Sequence, residues 1–318
     1  MRLKKALYGL RVAAQKWQAH LGALLKKLGL TPCETEPCLY AGYHKGTWIL
    51  VITYVDDLLL TGGSDEAIYA VIASLRSKLT VKITSDLSLS GSITFLGRQI
   101  HRRSDGALIF GMSNEYYSDI FAEFGMNVSI SASSTPPSIR DLYDRAIEDE
   151  KLQRKLSGDA AKRFRSTLGK LSWLAMTRLD LLYYISVLAR GQADPREVHE
   201  RALRMVLRYL KHVSGFRQVI YPIDESELTF HCLVDASWGS EKSVDRKSIS
   251  GGCVMLGHIC LKAWSRLQQA VALSSAESEL YAIVEGSKKR WGSVALSCVL
   301  SVGRSCWCPT CIVTLKLL

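Results

Sequence analysis

The chain has 318 residues, enough for two ordinary domains and a connection, and 47% of them are hydrophobic, enough to bury a sizeable core. With 41 basic and 30 acidic residues the net charge is +11, which favours a polyanionic partner, nucleic acid first, although a basic soluble protein has the same balance. No run of eighteen apolar residues is present and Arg11, Gln15 and Lys16 interrupt the early apolar patch, so neither a membrane span nor a targeting segment is expected.

Residues 4–29 read as an amphipathic helix, with Leu7, Leu10, Ala14, Trp17, Leu21, Leu24 and Leu28 at helical spacing. A turn is expected at Thr31–Pro37, then strands at Cys38–Tyr43 and Trp48–Tyr54, rich in aromatic and β-branched residues, with the pattern resuming at Leu58–Thr61. Asp65 is a candidate cap for a helix over 66–79. Strands follow at 80–84, 93–101 and 107–111, then a helix over 114–125. The Ser/Pro-rich stretch from Ser129 to Ser138 reads as a linker. Helical patterns occupy 159–176, 180–190 and 195–213. Strands are expected at 228–234, 250–256 and 259–264, and a helix over 275–290. Residues 292–318, with only Arg304 and Lys316 charged, fit no pattern. The nine cysteines are an odd number without a framework, as in a reducing compartment; Cys306, Cys308 and Cys311 are a weak zinc candidate, lacking a second pair or a histidine.

Three groups of polar residues carry chemistry. Asp56 and Asp57 stand between strongly apolar strands, where adjacent carboxylates repel and partial burial adds to the cost. A divalent cation such as Mg²⁺ resolves the conflict, and a pair of such metals can activate a 3′-hydroxyl and stabilise a leaving pyrophosphate; a hairpin turn with two solvated aspartates explains the pair as well. Arg201, Arg204, Arg208 and Lys211 fall on one helix face, opposite Leu203, Val206, Leu207, Leu210 and Val213. That stripe either tracks a phosphate backbone or is the solvated side of a docked helix. Asp235 closes an apolar stretch, and Glu277 and Glu279 lie near the start of the last helix, where acids also serve the helix dipole and where Ser274 or Ser275 is a candidate cap.

These residues sit in motifs that resemble the Pol polyprotein of copia-type LTR retrotransposons. "YVDDLLLTG" at 54–62 resembles the metal-binding hairpin of the family's reverse transcriptase, "LKKALYGLRVAAQKW" at 3–17 the stretch before it, and "FLGRQI" at 95–100 the element that grips the primer end. "LGKLSWLAMTRLDLLYYISVLAR" at 168–190 and "HERALRMVLRYLKH" at 199–212 resemble the connection. "LVDASWGSEKSVDRKSISGG" at 233–252 and "AWSRLQQAVALSSAESELYAI" at 263–283 resemble the family's ribonuclease H.

The resemblance implies an α+β chain: a partial right-hand polymerase palm and thumb fragment over 1–130, a linker and helical connection over 131–227, a truncated RNase H-like α/β domain over 228–291, and a divergent Cys-rich tail over 292–318. It implies catalytic and metal-binding roles for Asp56 and Asp57 in nucleotidyl transfer. It implies the same for Asp235 and Glu279 in hydrolysis of RNA in an RNA–DNA hybrid, with Glu277 competing for the role of Glu279. Each complete site would take two Mg²⁺, with Mn²⁺ as a substitute. Arg11, Phe95, Leu96, Gly97, Arg201, Arg204, Arg208 and Lys211 would meet nucleic acid.

The implied partners are an RNA template, a DNA primer, their hybrid, dNTPs and the remainder of the Pol polyprotein, with no membrane. A full-length relative would work in cytoplasmic particles and deliver DNA to the nucleus, and no signal here fixes either place. Two departures bear on activity. Val12 stands where the family has a glutamine near the incoming nucleotide and template, and Leu179 where it has a proline. A further palm aspartate is expected before Met1 and two aspartates after Glu279, yet Asp245 is the last aspartate and Glu285 the last acid. The chain alone is therefore expected to be inactive in both reactions, either as part of a polymerase or as a decayed product that retains only nucleic-acid binding. The tail after Trp291 reads as a frameshift, a misjoined exon or decay.

Overall fold

A computed structural model describes residue 7 and residues 9–126, 132–239, 246–301 and 311–317; side chains are described within these ranges except at 225, 290–301 and 311. Helices and antiparallel sheets make an α+β architecture. In chain order the elements are α1 (Ala13–Lys27), β1 (Thr31–Pro32), β2 (Leu39–His44), β3 (Thr47–Tyr54), β4 (Asp57–Gly62), α2 (Asp65–Arg76), β5 (Val81–Asp86), α3 (Leu87–Ser90), β6 (Ser92–Phe95) and β7 (Arg98–Arg102). There follow β8 (Leu108–Met112), α4 (Asn114–Glu123), α5 (Ile139–Ala146), α6 (Glu150–Gln153), α7 (Gly158–Leu174), α8 (Leu182–Ala189), α9 (Glu197–His212), β9 (Gln218–Ile220), β10 (Phe230–Ser237), β11 (Ile249–Leu256), β12 (Ile259–Leu267), α10 (Ser275–Ser301) and β13 (Cys311–Leu317). The chain divides into two compact units, Met1–Leu108 with Gly292–Leu318, and Ile109–Trp291.

In the first unit a sheet runs in the order β1-β2-β3-β4-β13-β5. Strands β2 and β3 turn on Lys45-Gly46, both at positive φ, so Gly46 supplies the left-handed conformation that a two-residue hairpin needs. Alternate residues Ile49, Val51, Leu58 and Leu60 are fully buried and share one core with Leu21 and Leu25 of α1, Ile68, Val71, Ile72 and Leu75 of α2, and Val313, Leu315 and Leu317 of β13. Each such side chain contributes about 1.5–3 kcal/mol by burial. Helix α2 starts at Ser64, whose Oγ accepts the Ala67 N–H at 3.4 Å, so the cap is Ser64 and not Asp65. The single strand expected over 93–101 is two, because Leu96 (φ 50) and Gly97 (φ 73) form a tight turn that pairs Phe95 with Arg98.

The helix expected over 4–29 begins only at Ala13; Gly9 takes φ 90 before it, and residues 1–6 and 8 lie outside the described residues. The largest difference lies in the tail. Cys311–Leu317 is a strand between β4 and β5, antiparallel to both. Its alternation is too short to stand out beside a Cys-rich stretch, and it forms because two strand edges and an apolar core are already in place around it.

In the second unit helices α4, α5, α7, α8 and α9 close around a core that includes Phe164, Leu168, Leu171, Leu203, Val206, Leu207 and Leu210. Arg178 is buried at its centre: its guanidinium donates to both Asp180 carboxylate oxygens (2.9 and 2.7 Å) and to the Val213 carbonyl (2.9 Å). Helices α5 and α6 come just after the linker, of which residues 129–131 are not described. The same unit holds the antiparallel sheet β10-β11-β12. Helix α10 packs on that sheet through Gly286, where a β-carbon would come within 2.5 Å of Val234 Cγ1.

Candidate functional site

The acidic pair lies at the tip of the β3–β4 hairpin. Tyr54 pairs with Asp57, leaving Val55 and Asp56 as a two-residue turn. Val55 takes φ 54, a conformation that a β-branched residue rarely adopts, so the turn stores strain of about 1–3 kcal/mol unless neighbours hold it. They do hold it. The Trp17 indole N–H donates to the Val55 carbonyl at 2.7 Å, and the Leu317 N–H donates to the Asp56 carbonyl at 2.8 Å. Val55 is exposed, Asp56 and Asp57 are half-buried, and the Lys316 ammonium lies 3.8 Å from Asp56 Oδ2. Sequence reading placed Trp17 only as a core position of α1 and gave Lys316 no role; spacing along the chain cannot show either contact, since Trp17 lies 38 residues from Val55.

Phe95, Leu96 and Gly97 form the tip of the β6–β7 hairpin, with Gly97 exposed and the other two half-buried. Arg11 is exposed in the turn before α1. Leu96 and Val55 both take the left-handed backbone without being glycine, so two of the sequence motifs coincide with two strained turns.

In the second unit Asp235 lies inside β10, which continues to Ser237, and points to its exposed side. It lines a cleft of about 450 Å³ together with Arg140, Asp180, Tyr183, Gly252 and Trp264. Glu279 accepts the Ala236 N–H at 3.2 Å, which brings its carboxylate to the residue after Asp235. Glu277 faces the start of its own helix: it accepts the Leu273 N–H at 2.6 Å and the Tyr281 hydroxyl at 2.8 Å, and these two bonds hold its carboxyl below the ordinary range. The Ser274 hydroxyl accepts the Glu277 N–H at 3.1 Å and caps that helix.

On α9 the apolar side is fully buried and the cationic side is outward, as the spacing predicts. Arg201 and Arg208 are exposed. Arg204 is engaged within the unit, 3.1 Å from Glu200 and stacked 4.9 Å over the Phe124 ring, and Lys211 donates to the Met126 carbonyl at 3.2 Å. The row is therefore partly tied to its own unit. The Cys306 and Cys308 candidates lie outside the described residues.

Carboxylate oxygens are the donors Mg²⁺ prefers, but each acidic pair brings only two carboxylates. Among the described residues no three His, Cys, Asp or Glu side chains converge. At the first pair a lysine leans on Asp56, and at the second Glu279 is engaged by an amide. The described residues do not by themselves complete a metal site.

Residues 1–137 match the reverse transcriptase (RNA-dependent DNA polymerase) family. The chain is 27% identical over 293 residues to the retrovirus-related Pol polyprotein from transposon RE1 of Arabidopsis thaliana, covering 91% of this chain and 19% of that protein. It is 25% identical over 291 residues to the Pol polyprotein from transposon TNT 1-94 of Nicotiana tabacum, covering 91% and 21%. This chain is a relative of the copia-type retrotransposon Pol polyproteins. It spans about a fifth of the length of these polyproteins. An uncharacterized mitochondrial protein of Arabidopsis thaliana is 27% identical over 248 residues, and there the match covers 78% of this chain and 95% of the relative. No solved structure matches the chain.

Proposed function

We propose that this chain is a portion of a retrotransposon RNA-directed DNA polymerase joined to ribonuclease H, and that alone it turns over neither reaction. In this reading residues 1–130 are palm and thumb, 131–227 linker and connection, and 228–291 an RNase H-like domain. The observation that carries it is the strained two-residue turn that fixes Asp56 and Asp57 at a hairpin tip. A solvated loop would not need Val55 at φ 54 locked by Trp17 and Leu317.

Asp56 and Asp57 would serve nucleotidyl transfer, and the Phe95-Leu96-Gly97 turn would meet the primer end. In the second unit the register of Asp235 and the reach of Glu279 to Ala236 favour Glu279 over Glu277 as its partner, because Glu277 is already bound by its own helix start. Carboxylates repel phosphates, so either pair needs cations between itself and nucleic acid. The two carboxylates described at each place do not complete a seat for them, which is why inactivity of the isolated chain is expected. The basic face of α9, through Arg201 and Arg208, would take phosphates of the hybrid.

The test is a labelled RNA–DNA primer-template offered to the purified chain with Mg²⁺ and dNTPs. Binding should fall steeply as salt rises, because each phosphate contact releases counterions, and should weaken in Arg201→Ala with Arg208→Ala. No primer extension and no RNA cleavage should appear. Templated extension would overturn the claim of inactivity, and absence of hybrid binding at low salt would overturn the nucleic-acid reading.

A further inference from the structure

The acidic turn is bordered by the tail strand. Strand β13 runs antiparallel to β4 from Cys311 opposite Gly62 to Lys316 opposite Asp57, and antiparallel to β5 from Val313 opposite Asp86 to Leu317 opposite Val81. Without it, β4 and β5 would each present an unpaired edge, and Leu58, Leu60, Ile68 and Val71 would lose Val313 and Leu315 from their core. The opposite side of the strand is also fitted. Thr314 is buried, with its Oγ1 2.8 Å from Thr84 Oγ1 and 2.6 Å from Ser85 Oγ. That face continues to Lys316, which sets its ammonium 3.8 Å from Asp56 Oδ2, and the next residue donates its N–H to the Asp56 carbonyl.

We propose that the position between β4 and β5 is a strand-accepting site, that this chain fills it with its own residues 311–317, and that Lys316 is thereby the internal counter-ion of the acidic turn. One cation beside two adjacent carboxylates lowers their mutual repulsion without any metal. It also opposes the entry of a divalent cation, because the two positive charges would compete for Asp56. The tail is then a built-in plug, and a strand from another chain with the same alternation would have to displace it. This holds whether or not the turn serves nucleotide transfer.

Two measurements on the full chain test it. For the strand, Ser85→Cys with Thr314→Cys places two thiols opposite each other in the register. Mild oxidation followed by fragment mapping should find that disulfide, and its absence would overturn the insertion. Hydrogen exchange in Val313→Asp with Leu315→Asp should rise at least tenfold at the amides of 57–62 and 81–86 and stay unchanged in α7 and α9; unchanged exchange in β4 and β5 would overturn it equally. A variant that fails to fold leaves the cross-link as the deciding result. For the counter-ion, Mn²⁺ titration followed by electron paramagnetic resonance should show several-fold tighter binding in Lys316→Met than in the parent, return to the parent value in Lys316→Arg, and disappear in Lys316→Met with Asp56→Asn. Equal affinity in the parent and Lys316→Met would overturn the counter-ion role.

Discussion

Replacing Arg178 by methionine should loosen the helical unit severely, and replacing its partner as well should restore it. The Arg178 side chain is 3% exposed and makes three hydrogen bonds, two to Asp180 and one to the Val213 carbonyl at the end of α9. Methionine fills much of the same volume but leaves Asp180, whose side chain is 35% exposed, without its cation, and the Val213 carbonyl without that donor. Breaking a fully buried pair from one side costs about 3–5 kcal/mol, and roughly half of that is expected where water reaches the remaining Asp180, whereas replacing both partners by apolar residues is often neutral. At about 1.4 kcal/mol per tenfold, the single variant should accelerate amide exchange in α9 by roughly one to two orders of magnitude. Arg178→Met with Asp180→Leu should recover most of that protection. Hydrogen exchange read by mass spectrometry over 198–210 measures both. An effect under tenfold in the single variant, or a double variant as poorly protected as the single, would refute the reasoning.

Other perturbations separate the remaining arguments. Val55→Gly should leave the hairpin intact or slow its amide exchange slightly, since glycine takes φ 54 without strain, whereas Val55→Pro, locked near φ −65, should open it; exchange at 54–58 distinguishes the two. Gly42→Ala should disrupt strand β2, because a β-carbon there would sit 2.0 Å from the Gly29 carbonyl oxygen; a loss of about 1–3 kcal/mol in denaturant unfolding is expected. His199 is half-buried beside Phe164 and Tyr143, its Nδ1 accepts the Arg196 N–H at 2.9 Å, and desolvation, aided by the Arg196 charge and opposed by Asp194, brings its pKa down to about 4 from 6.5. Between those values the unfolded chain holds a proton that the folded chain does not, so stability from this group is full above pH ~6.5 and falls as pH falls towards 4. The loss is at most about 3 kcal/mol, less the screening of a partly exposed ring, and denaturation midpoints at pH 7.5 and 4.5 should differ less in His199→Phe than in the parent.

What could be read from the sequence was what local periodicity and turn chemistry encode. The β2–β3–β4 run, α7, α9 and the three strands β10–β12 lie within a few residues of where alternation and helical spacing put them, and the buried side of α9 is the side its leucines predicted. Errors arose where conformation was decided from outside the segment. Leu96 and Gly97 split one apparent strand because the turn needs two left-handed residues, and a leucine gives no sign of adopting that state. Ser64 displaced Asp65 as the cap because only its oxygen reaches the Ala67 amide. The start of α1 shifted to Ala13 since apolar spacing continues through Gly9 although the backbone does not.

The acidic turn shows the same division between what residues announce and what assembly adds. Asp56 and Asp57 announce themselves by charge in an apolar setting, but nothing in their neighbourhood along the chain says what balances them. Trp17 arrives from α1, and Lys316 and Leu317 from a strand more than two hundred residues away; Trp17 and Leu317 hold the turn's carbonyls and Lys316 lies beside its charge. A Cys-rich stretch that reads as debris therefore supplies both a strand and a cation to the turn that carries Asp56 and Asp57. If Lys316→Met does not tighten Mn²⁺ binding, the lysine is only a solvated neighbour at 3.8 Å and the tail's contribution is confined to the sheet. If it does, Lys316 sets the cation affinity of the turn, and the strand that carries it links the sheet to the turn's charge.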